Sequence, residues 1–580
     1  MKHGLMILTL CVTLLGSAHA MSFTDVTNPE FQGNDYSVVA WGDVDANGYP
    51  DLFLGVAGSA GGSRLYVNTG EAWEDVSEDY EVSSINFVQS ARFVDFDQDG
   101  MLDLFCLTGD EEGVELYRQN ASHRYQRVNL NLEGATDAGI RSAVWCDADY
   151  DGQLDLYLSN RSSIDEASVL LEPQIDEFVE VRGVTGPFSE TLVNQLSSID
   201  FDQDGDVDYF MSKADGSTSL WCDNRGVFEN LGDAMNFPTK IALSGITWAD
   251  FNRDGTLDFF ACGSSDNNCL FYQHDGNGTE PCSFENVTDE FGLRDLTAGA
   301  TSAHAVDANC DGQMDIFIVR HNGNLLLVNE GPQGWTSVDI ESNLRPTDRG
   351  TRSSAWADID CDGDLDVVIA YGRNGVRLYR NDTEIMHEYI GLMLLGSDER
   401  MTPVLNCLVS VDFEDGKQWA ATSMYAGTVG SDMTSAILYN PERIHSEEWT
   451  VNVFWPNGML TTLTQGEIEM NECTKLHMPP APHWGDNDLV VTPPFVPNVV
   501  NYPNPFNPTT NIEFTLTEAT NITLSIYNLL GQEVEILASG TYEAGLHSLA
   551  FDAAALPSGL YMARLETPVG SVVHRMLLTK

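Results

Sequence analysis

Short apolar runs bounded by turn residues recur along the first two thirds of the chain. Val38-Val39-Ala40-Trp41 precedes an acidic segment and Leu52-Phe53-Leu54 follows it directly; the same order returns around Leu104-Phe105 and Ile316-Phe317-Ile318. Runs of this length with such punctuation predict strands. Laid side by side, the units offer four strands each. The first ends at Trp41, Phe93, Trp145, Ser198, Trp248, Ala305 or Trp356, two residues before an acidic loop, and the second follows that loop. The third carries a leucine–tyrosine signature, as in Leu65-Tyr66, Leu116-Tyr117, Leu270-Phe271-Tyr272 and Leu378-Tyr379. The fourth reads Trp73-Glu74-Asp75-Val76-Ser77 or Phe284-Glu285-Asn286-Val287-Thr288. Four strands in each of seven units predict an all-β, seven-bladed β-propeller whose recurring Trp packs blade against blade.

The acidic loop between the first two strands reads Asp-x-(Asp/Asn)-x-(Asp/Asn)-Gly-x-x-Asp. It begins at Asp43, Asp95, Asp147, Asp200, Asp250, Asp307 and Asp358, in steps of 50 to 57 residues. A near-constant period of that length marks a repeat architecture. Side-chain oxygens at positions 1, 3, 5 and 9, with the residue at 7 and a Gly at 6 for the sharp turn, form an oxygen cage suited to Ca2+. The candidate ligands in the first three loops are Asp43, Asp45, Asn47, Tyr49 and Asp51; Asp95, Asp97, Asp99, Met101 and Asp103; Asp147, Asp149, Asp151, Gln153 and Asp155. The other four loops supply Asp200, Asp202, Asp204, Asp206 and Asp208; Asp250, Asn252, Asp254, Thr256 and Asp258; Asp307, Asn309, Asp311, Gln313 and Asp315; Asp358, Asp360, Asp362, Asp364 and Asp366. An EF-hand would close with a bidentate Glu at position 12, between helices. Here position 12 is Leu54, Cys106, Leu158, Met211, Ala261, Ile318 or Ile369. The loop therefore joins two strands, and the expected complement is up to seven Ca2+, one per blade.

The seventh unit stops after Val376-Arg377-Leu378-Tyr379-Arg380-Asn381 with no fourth strand of its own. Ser22-Phe23-Thr24-Asp25-Val26-Thr27 has the sequence of a fourth strand with no blade before it. Joining the two closes the ring and removes two open edges. Residues 1–20 read as a signal peptide, with Lys2, an apolar stretch from Leu5 to Leu15, and Ala18-His19-Ala20 at the cleavage site. The propeller then spans 21–385. A smaller all-β domain follows over 386–478, with Tyr389-Ile390-Gly391-Leu392 and Val451-Asn452-Val453-Phe454 as strands. Prolines crowd 479–499, a linker, and residues 500–580 alternate apolar and polar, as in Ile522-Thr523-Leu524-Ser525-Ile526, giving a small β-sandwich.

Charge narrows the partners. The chain has 88 acidic against 28 basic residues, a net charge of −60. Even with a divalent ion in every loop it stays strongly acidic, which argues against nucleic acid or an anionic membrane surface. No run is long enough for a membrane span. Cys11 falls in the leader and leaves ten cysteines, an even number in a disulfide-permissive compartment, with Cys407–Cys473 and then Cys262–Cys269 as the favoured pairs.

Three resemblances cover most of the mature chain. The acidic loops with their Leu-Phe strands resemble FG-GAP/VCBS repeats, the calcium-bearing propeller repeats also found in integrin α subunits. Residues 389–476, with Val451-Asn452-Val453-Phe454-Trp455-Pro456-Asn457-Gly458, resemble the ASPIC/UnbV domain that follows such propellers in cartilage acidic protein and its bacterial relatives. Residues 502–580 are similar to the C-terminal sorting domain of the type IX secretion system. That likeness rests on Tyr502-Pro503-Asn504-Pro505-Phe506-Asn507-Pro508, Ile526-Tyr527-Asn528-Leu529-Leu530-Gly531-Gln532, Ser558-Gly559-Leu560-Tyr561 and Arg575-Met576-Leu577-Leu578. It implies handling by the type IX machinery and delivery to the bacterial surface or medium.

No catalytic constellation stands out. The twelve histidines do not cluster, and His304, inside a strand, reads as a packing residue. Arg253-Asp254-Gly255 is part of the fifth loop and not an adhesion tripeptide. Asn34, Asp35, Tyr36, Asn86, Arg141, Asn194, Arg349 and Arg352 lie on the rim opposite the acidic loops, where they would meet a sugar or protein or simply form a polar surface. The expected function is a secreted or surface calcium-binding propeller, not an enzyme, that mediates adhesion or binds an extracellular glycan or protein. The alternative is a propeller enzyme acting on polysaccharide, a glycoside hydrolase or lyase.

Overall fold

The computed structural model describes most of residues 21–383 and the strands of 389–578. The larger stretches outside the description are 131–139, 161–167, 202–206, 232–242, 275–283, 339–349, 396–406, 424–434, 440–448 and 478–498. Seven four-stranded antiparallel sheets form the blades. In the first, Tyr36–Gly42, Asp51–Val56, Arg64–Asn68 and Trp73–Asp75 lie in chain order, and the next five repeat that order.

The seventh sheet differs in the way the seam predicts. It consists of Ser353–Ala357, Asp366–Ala370 and Val376–Asn381, and its outer strand is Phe23–Asp25 from the other end of the chain. Phe23 pairs with Asn381, Thr24 with Arg380 and Asp25 with Tyr379.

The blades read as apolar runs because each sheet is covered on both faces. Val39, Trp41, Leu52 and Leu54 pack against the seventh blade, whereas Val38, Ala40 and Phe53 pack against the second. Alternate side chains of one strand thus serve opposite neighbours, the period-two geometry of a strand. Seven such clusters lie between consecutive blades, one of them joining blades seven and one. Trp41, Trp145, Trp248 and Trp356 are all buried in them. Burying a side chain of this size stabilises by roughly 1.5–3 kcal/mol or more, so the interfaces between blades, and not the individual sheets, hold the ring.

Residues 389–477 form two sheets. One joins Ser435–Tyr439, Tyr389–Leu395 and Cys473–His477; the other joins Gln418–Ser423, Cys407–Phe413, Trp449–Phe454 and Leu460–Thr464. Ile390, Leu392, Val409, Val451, Val453 and Trp455 fill the space between them. The side chains of Cys407 and Cys473 lie outside the described residues. Cys262 and Cys269 face each other across adjacent strands of blade five, and the Cys269 side chain is likewise outside the description.

A second compact unit spans His483–Lys580. Its sheets are Val499–Tyr502, Thr509–Leu516 and Gly545–Asp552 on one side, and Glu533–Tyr542, Thr520–Asn528, Gly559–Thr567 and Gly570–Leu578 on the other. Ile512, Phe514, Leu524, Ile526, Phe551 and Leu565 are enclosed between them, a two-sheet sandwich.

Candidate metal centre

Among the described residues, the acidic loops are shaped by their own carboxylates. The position-1 Asp accepts two backbone N–H groups across the turn: Asp43 receives those of Asn47 at 3.0 Å and Gly48 at 2.8 Å. Asp95, Asp307 and Asp358 repeat the pair with Asp99 and Gly100, Asp311 and Gly312, and Asp362 and Gly363. The turn needs left-handed backbone at positions 4 and 6. Gly48, Gly100, Gly312 and Gly363 supply it at position 6, with φ between 81° and 97°. At position 4 ordinary residues adopt it, namely Ala46, Gln98, Arg253, Cys310 and Cys361, with φ of 55–61°.

The position-9 Asp closes the loop onto the sheet. Asp51 accepts the N–H of Val44 at 2.7 Å and that of Asn68, at the end of the third strand, at 2.8 Å. Asp103, Asp208, Asp315 and Asp366 make the same two bonds, with Gln119, Asp223, Asn329 and Asn381 as the second donors. In blade three the register puts Pro173 at that place, and proline has no N–H to give. The neighbouring side chain then ties one blade to the next. Asn68 donates its amide to the Ile359 carbonyl in the preceding loop at 2.9 Å, Gln119 to Val44, Asn329 to Phe251 and Asn381 to Ala308.

These bonds leave carboxylates facing one another. Ligand oxygens of Asp43, Asp45 and Asp51 lie within 4.8 Å of one another, as do those of Asp95, Asp97 and Asp99, and of Asp358, Asp360 and Asp366. Every donor is oxygen, and each ionised oxygen already bonded to an N–H keeps a second lone pair. That set fits a hard divalent cation, and soft or nitrogen-seeking metals far less. Asp149, Asp151, Asp202, Asp204 and Asp206 lie outside the described residues; in those two loops Asp147, Gln153, Asp155, Asp200 and Asp208 are placed. Asn252, Asp254, Thr256 and Asp258 of the fifth loop and Asn309 and Gln313 of the sixth occupy the equivalent turns.

Without a cation these groups resist ionisation. Burial, reinforced by Asp45 and Asp43, pushes Asp51 up to about 8. Burial likewise raises Asp103 to about 9 and Asp358 to about 7, each helped by neighbouring loop carboxylates. Asp307, Asp315 and Asp366 are raised well above the ordinary range for the same first cause. Asp364, at position 7 of the seventh loop, is 1% exposed and pushed up to about 10 by burial and the four other carboxylates of its loop.

Five overlapping segments, 43–106, 95–158, 200–261, 250–318 and 307–369, match the family model of the FG-GAP-like repeat, and together they contain all seven loops. Residues 500–579 match the secretion system C-terminal sorting domain. The ring is built of FG-GAP-like repeats. The sorting domain marks the chain for export by the type IX system to the cell surface or beyond. The family matches leave residues 370–499 unassigned, so the ASPIC/UnbV resemblance has no counterpart among them. Curated proteins offer no match. Two solved structures are similar. One, described as the structural basis of specific recognition of non-reducing terminal N-acetylglucosamine by an Agrocybe aegerita lectin, is 18% identical over 55% of this chain and 84% of its own, with a TM-score of 0.39. The other, SapL1 lectin in complex with alpha methyl fucoside, is 12% identical over 54% of this chain and 98% of its own, with a TM-score of 0.32.

On the rim opposite the FG-GAP-like loops, several polar residues spend their groups internally. Asn34 donates to the Tyr36 hydroxyl, Asn86 to the Ser84 carbonyl and Asn194 to the Leu243 carbonyl, while Asp35 pairs with Arg373 at 3.2 Å. Arg349 lies outside the described residues. His304 is buried and hydrogen-bonded to Ser354 at 3.1 Å, across the first strands of blades six and seven. A ligand would have to displace these contacts or pass them by. No helix among the described residues is long and apolar enough to cross a membrane.

Sequence reasoning singled out the loop carboxylates as candidates but missed the arginines around them. Arg118 reaches Asp97 at 2.7 Å and Arg380 reaches Asp360 at 3.7 Å, both from third strands of the same blade. Their signal was a basic residue directly before the Gln or Asn that ends that strand.

Proposed function

We propose that this chain is an exported, calcium-stabilised binding module: a rigid FG-GAP-like ring that holds Ca2+ in its loops and presents its surface to an extracellular glycan or protein. The observation that carries the reading is the convergence of carboxylate oxygens within 4.8 Å in loops one, two and seven. Ionised carboxylates that close together repel, the more so for the buried ones such as Asp43, Asp51 and Asp366, and a divalent ion removes the repulsion. The metal's part is structural, since extracellular sites of this chemistry bind with Kd of about 10⁻⁴–10⁻³ M. At ten to a hundred times Kd each filled site stabilises by roughly 1.4–2.7 kcal/mol. The sorting domain supports an address outside the cell. Residues 389–476, which resemble an ASPIC/UnbV domain, would serve as a companion domain of the ring.

Calorimetric titration of the chelated mature protein tests the metal reading: binding of several Ca2+ with a rise in melting temperature supports it, and an unchanged melting curve sinks it. A panel of acidic and neutral glycans, with and without Ca2+, tests the second part. Retention without cleavage supports the binding module; depolymerisation would instead establish the polysaccharide-active enzyme.

A further inference from the structure

Several of the ring's basic side chains are neutralised within the protein. Arg118, Arg124, Lys213 and Arg380 each meet a carboxylate at 2.7–2.8 Å. Arg141 and Arg352 are exposed, and neither guanidinium has an ion pair or hydrogen bond with a described residue. In a chain of 88 acidic and 28 basic residues, arginines without a carboxylate stand out. The two occupy the same place in their blades, six residues before Asp147 and Asp358, where the first strands begin. That rim is opposite the acidic loops. The backbone N–H of Arg352 bonds the Ala370 carbonyl at 2.8 Å, so the chain is fixed while the side chain stays available.

A third guanidinium stands beside Arg352. Arg373, in the hairpin turn between Asp366–Ala370 and Val376–Asn381, is 90% exposed and meets Asp35 at 3.2 Å. Gly372, with φ 60°, lies between them: a Cβ on it would come 3.0 Å from Asp35 Oδ1 and 3.5 Å from Arg352 Nε. Asp35 and both arginines therefore surround one point, two positive charges against one negative. An ion pair this exposed is weak, so an incoming carboxylate can take the place of Asp35. In blade two the same rim carries Phe87, 36% exposed, eight residues before Asp95 and with φ 56°. Leu192 and Gly299 make the same left-handed turn eight residues before Asp200 and Asp307, so the turn belongs to the fold. What blade two adds is an exposed aromatic ring.

The acidic loops lie at the far end of the first strands, seven residues away in blade one. That is roughly 20 Å, beyond the Debye length of about 8 Å in physiological salt, so the field of the loops is screened here. Nucleic acid carries about one charge per 1.7 Å and calls for a dense basic face, which three guanidiniums do not make. They suit sparse carboxylates, each of which a planar guanidinium grips through two parallel hydrogen bonds. An aromatic ring between them offers the apolar face of a sugar a surface to lie on. We propose, resting on the glycan part of the reading above, that this rim binds a uronate-bearing polysaccharide. Arg352 and Arg373 hold one carboxylate, Arg141 another, and Phe87 a sugar ring of the chain that runs across blade two.

The test measures retention of the mature full chain, in about 1 mM Ca2+, on immobilised hyaluronan and oligogalacturonate. Dextran, dextran sulfate and duplex DNA serve as comparison surfaces. The protein should be held by the two uronate chains, released by about 0.5 M NaCl, and pass over dextran. Arg352→Gln and Arg141→Gln should keep the parent melting temperature and each weaken retention roughly three- to tenfold. Asp35→Asn removes the carboxylate that competes for the arginines and should strengthen retention roughly threefold. No retention on either uronate chain, or retention that the arginine variants leave unchanged, overturns the inference. Equal or stronger retention on dextran sulfate or DNA overturns it too, because the face would then select charge and not uronate. Binding to a neutral glycan that the arginine variants do not disturb leaves the binding-module reading standing while this inference falls. Failure on every glycan, with calcium stabilisation intact, removes the glycan reading and this inference together.

Discussion

Thr27 Oγ1 accepts the backbone N–H of Leu378 at 2.9 Å, across 351 positions of sequence. The same bond occurs inside ordinary blades, from Leu65 to Ser77 and from Phe271 to Thr288. A hydroxyl just beyond the fourth strand therefore caps the third strand, and in blade seven the two come from opposite ends of the ring. Asp382 donates its N–H to the Ser22 carbonyl and accepts the Thr24 hydroxyl, extending the seam.

Deleting Ser22–Thr27 should leave Val376–Asn381 as an open edge in blade seven and expose Trp356 and Tyr379, which pack with Phe23. Unpaired edges recruit other chains. Light scattering should show aggregation well below the parent melting temperature; a monodisperse truncation that melts like the parent would refute closure by this strand. Thr27→Ala is the milder version, with an expected loss of about 1 kcal/mol in chemical denaturation.

Removing the inter-blade amide should cost more than its own hydrogen bond. Asn381 is fully buried, and its amide satisfies the Ala308 carbonyl of loop six while its N–H satisfies Asp366. Asn381→Ala strands a buried carbonyl, worth roughly 1–3 kcal/mol. Denaturation should show that loss, whereas Glu71→Ala, on an exposed turn of blade one, should stay within about 0.5 kcal/mol. Similar losses from both would show that the clamp carries no special weight.

The ring was legible in the sequence because its signals are local. Gly at position 6, Asp at position 9 and the apolar pairs after it all act within one hairpin, and the seam showed itself as Phe23-Thr24-Asp25 lacking a blade. What stayed hidden depends on the packing of blade against blade. Nothing in the sequence near Asn381 announces that its amide bonds the Ala308 carbonyl, 73 residues back. Nor do Asn68 and Gln119 reveal, until the register is known, that their side chains bridge consecutive loops.

Metal-free stability should fall as pH rises. Asp51, Asp103 and Asp358 are raised from 3.8 to about 8, 9 and 7 in the fold, so between pH 4 and 9 the folded state holds protons that the unfolded chain has released. Stability is then full below about pH 4 as far as these groups are concerned, and is lost as the pH climbs through their folded values. Calcium requires the ionised ligands, so its affinity should climb over the same range. Melting curves in chelator should therefore shift downward from pH 5.5 to 8.5, and the stabilisation added by calcium should grow. A chelated protein that is more stable at pH 8.5 would contradict the assignment of these carboxylates.

Asp364 gives the sharpest single-residue test of the same electrostatics. Its Oδ1 is buried without a hydrogen-bond partner, and Asp358, Asp360, Asp362 and Asp366 surround it. An uncompensated buried carboxylate costs several kcal/mol whether it stays charged or takes up a proton at neutral pH. Asp364→Asn keeps the shape and removes the charge, so in chelator it should stabilise the protein by about 1–3 kcal/mol at pH 7.5. With calcium bound the sign should reverse or the gain vanish, because the ion uses the negative field that the variant has weakened. A calcium-induced rise in melting temperature of the same size in both proteins would mean that loop seven holds no ion. Destabilisation in chelator would mean that the Asp364 carboxyl already serves as a donor, and the repulsion account of this loop would fail.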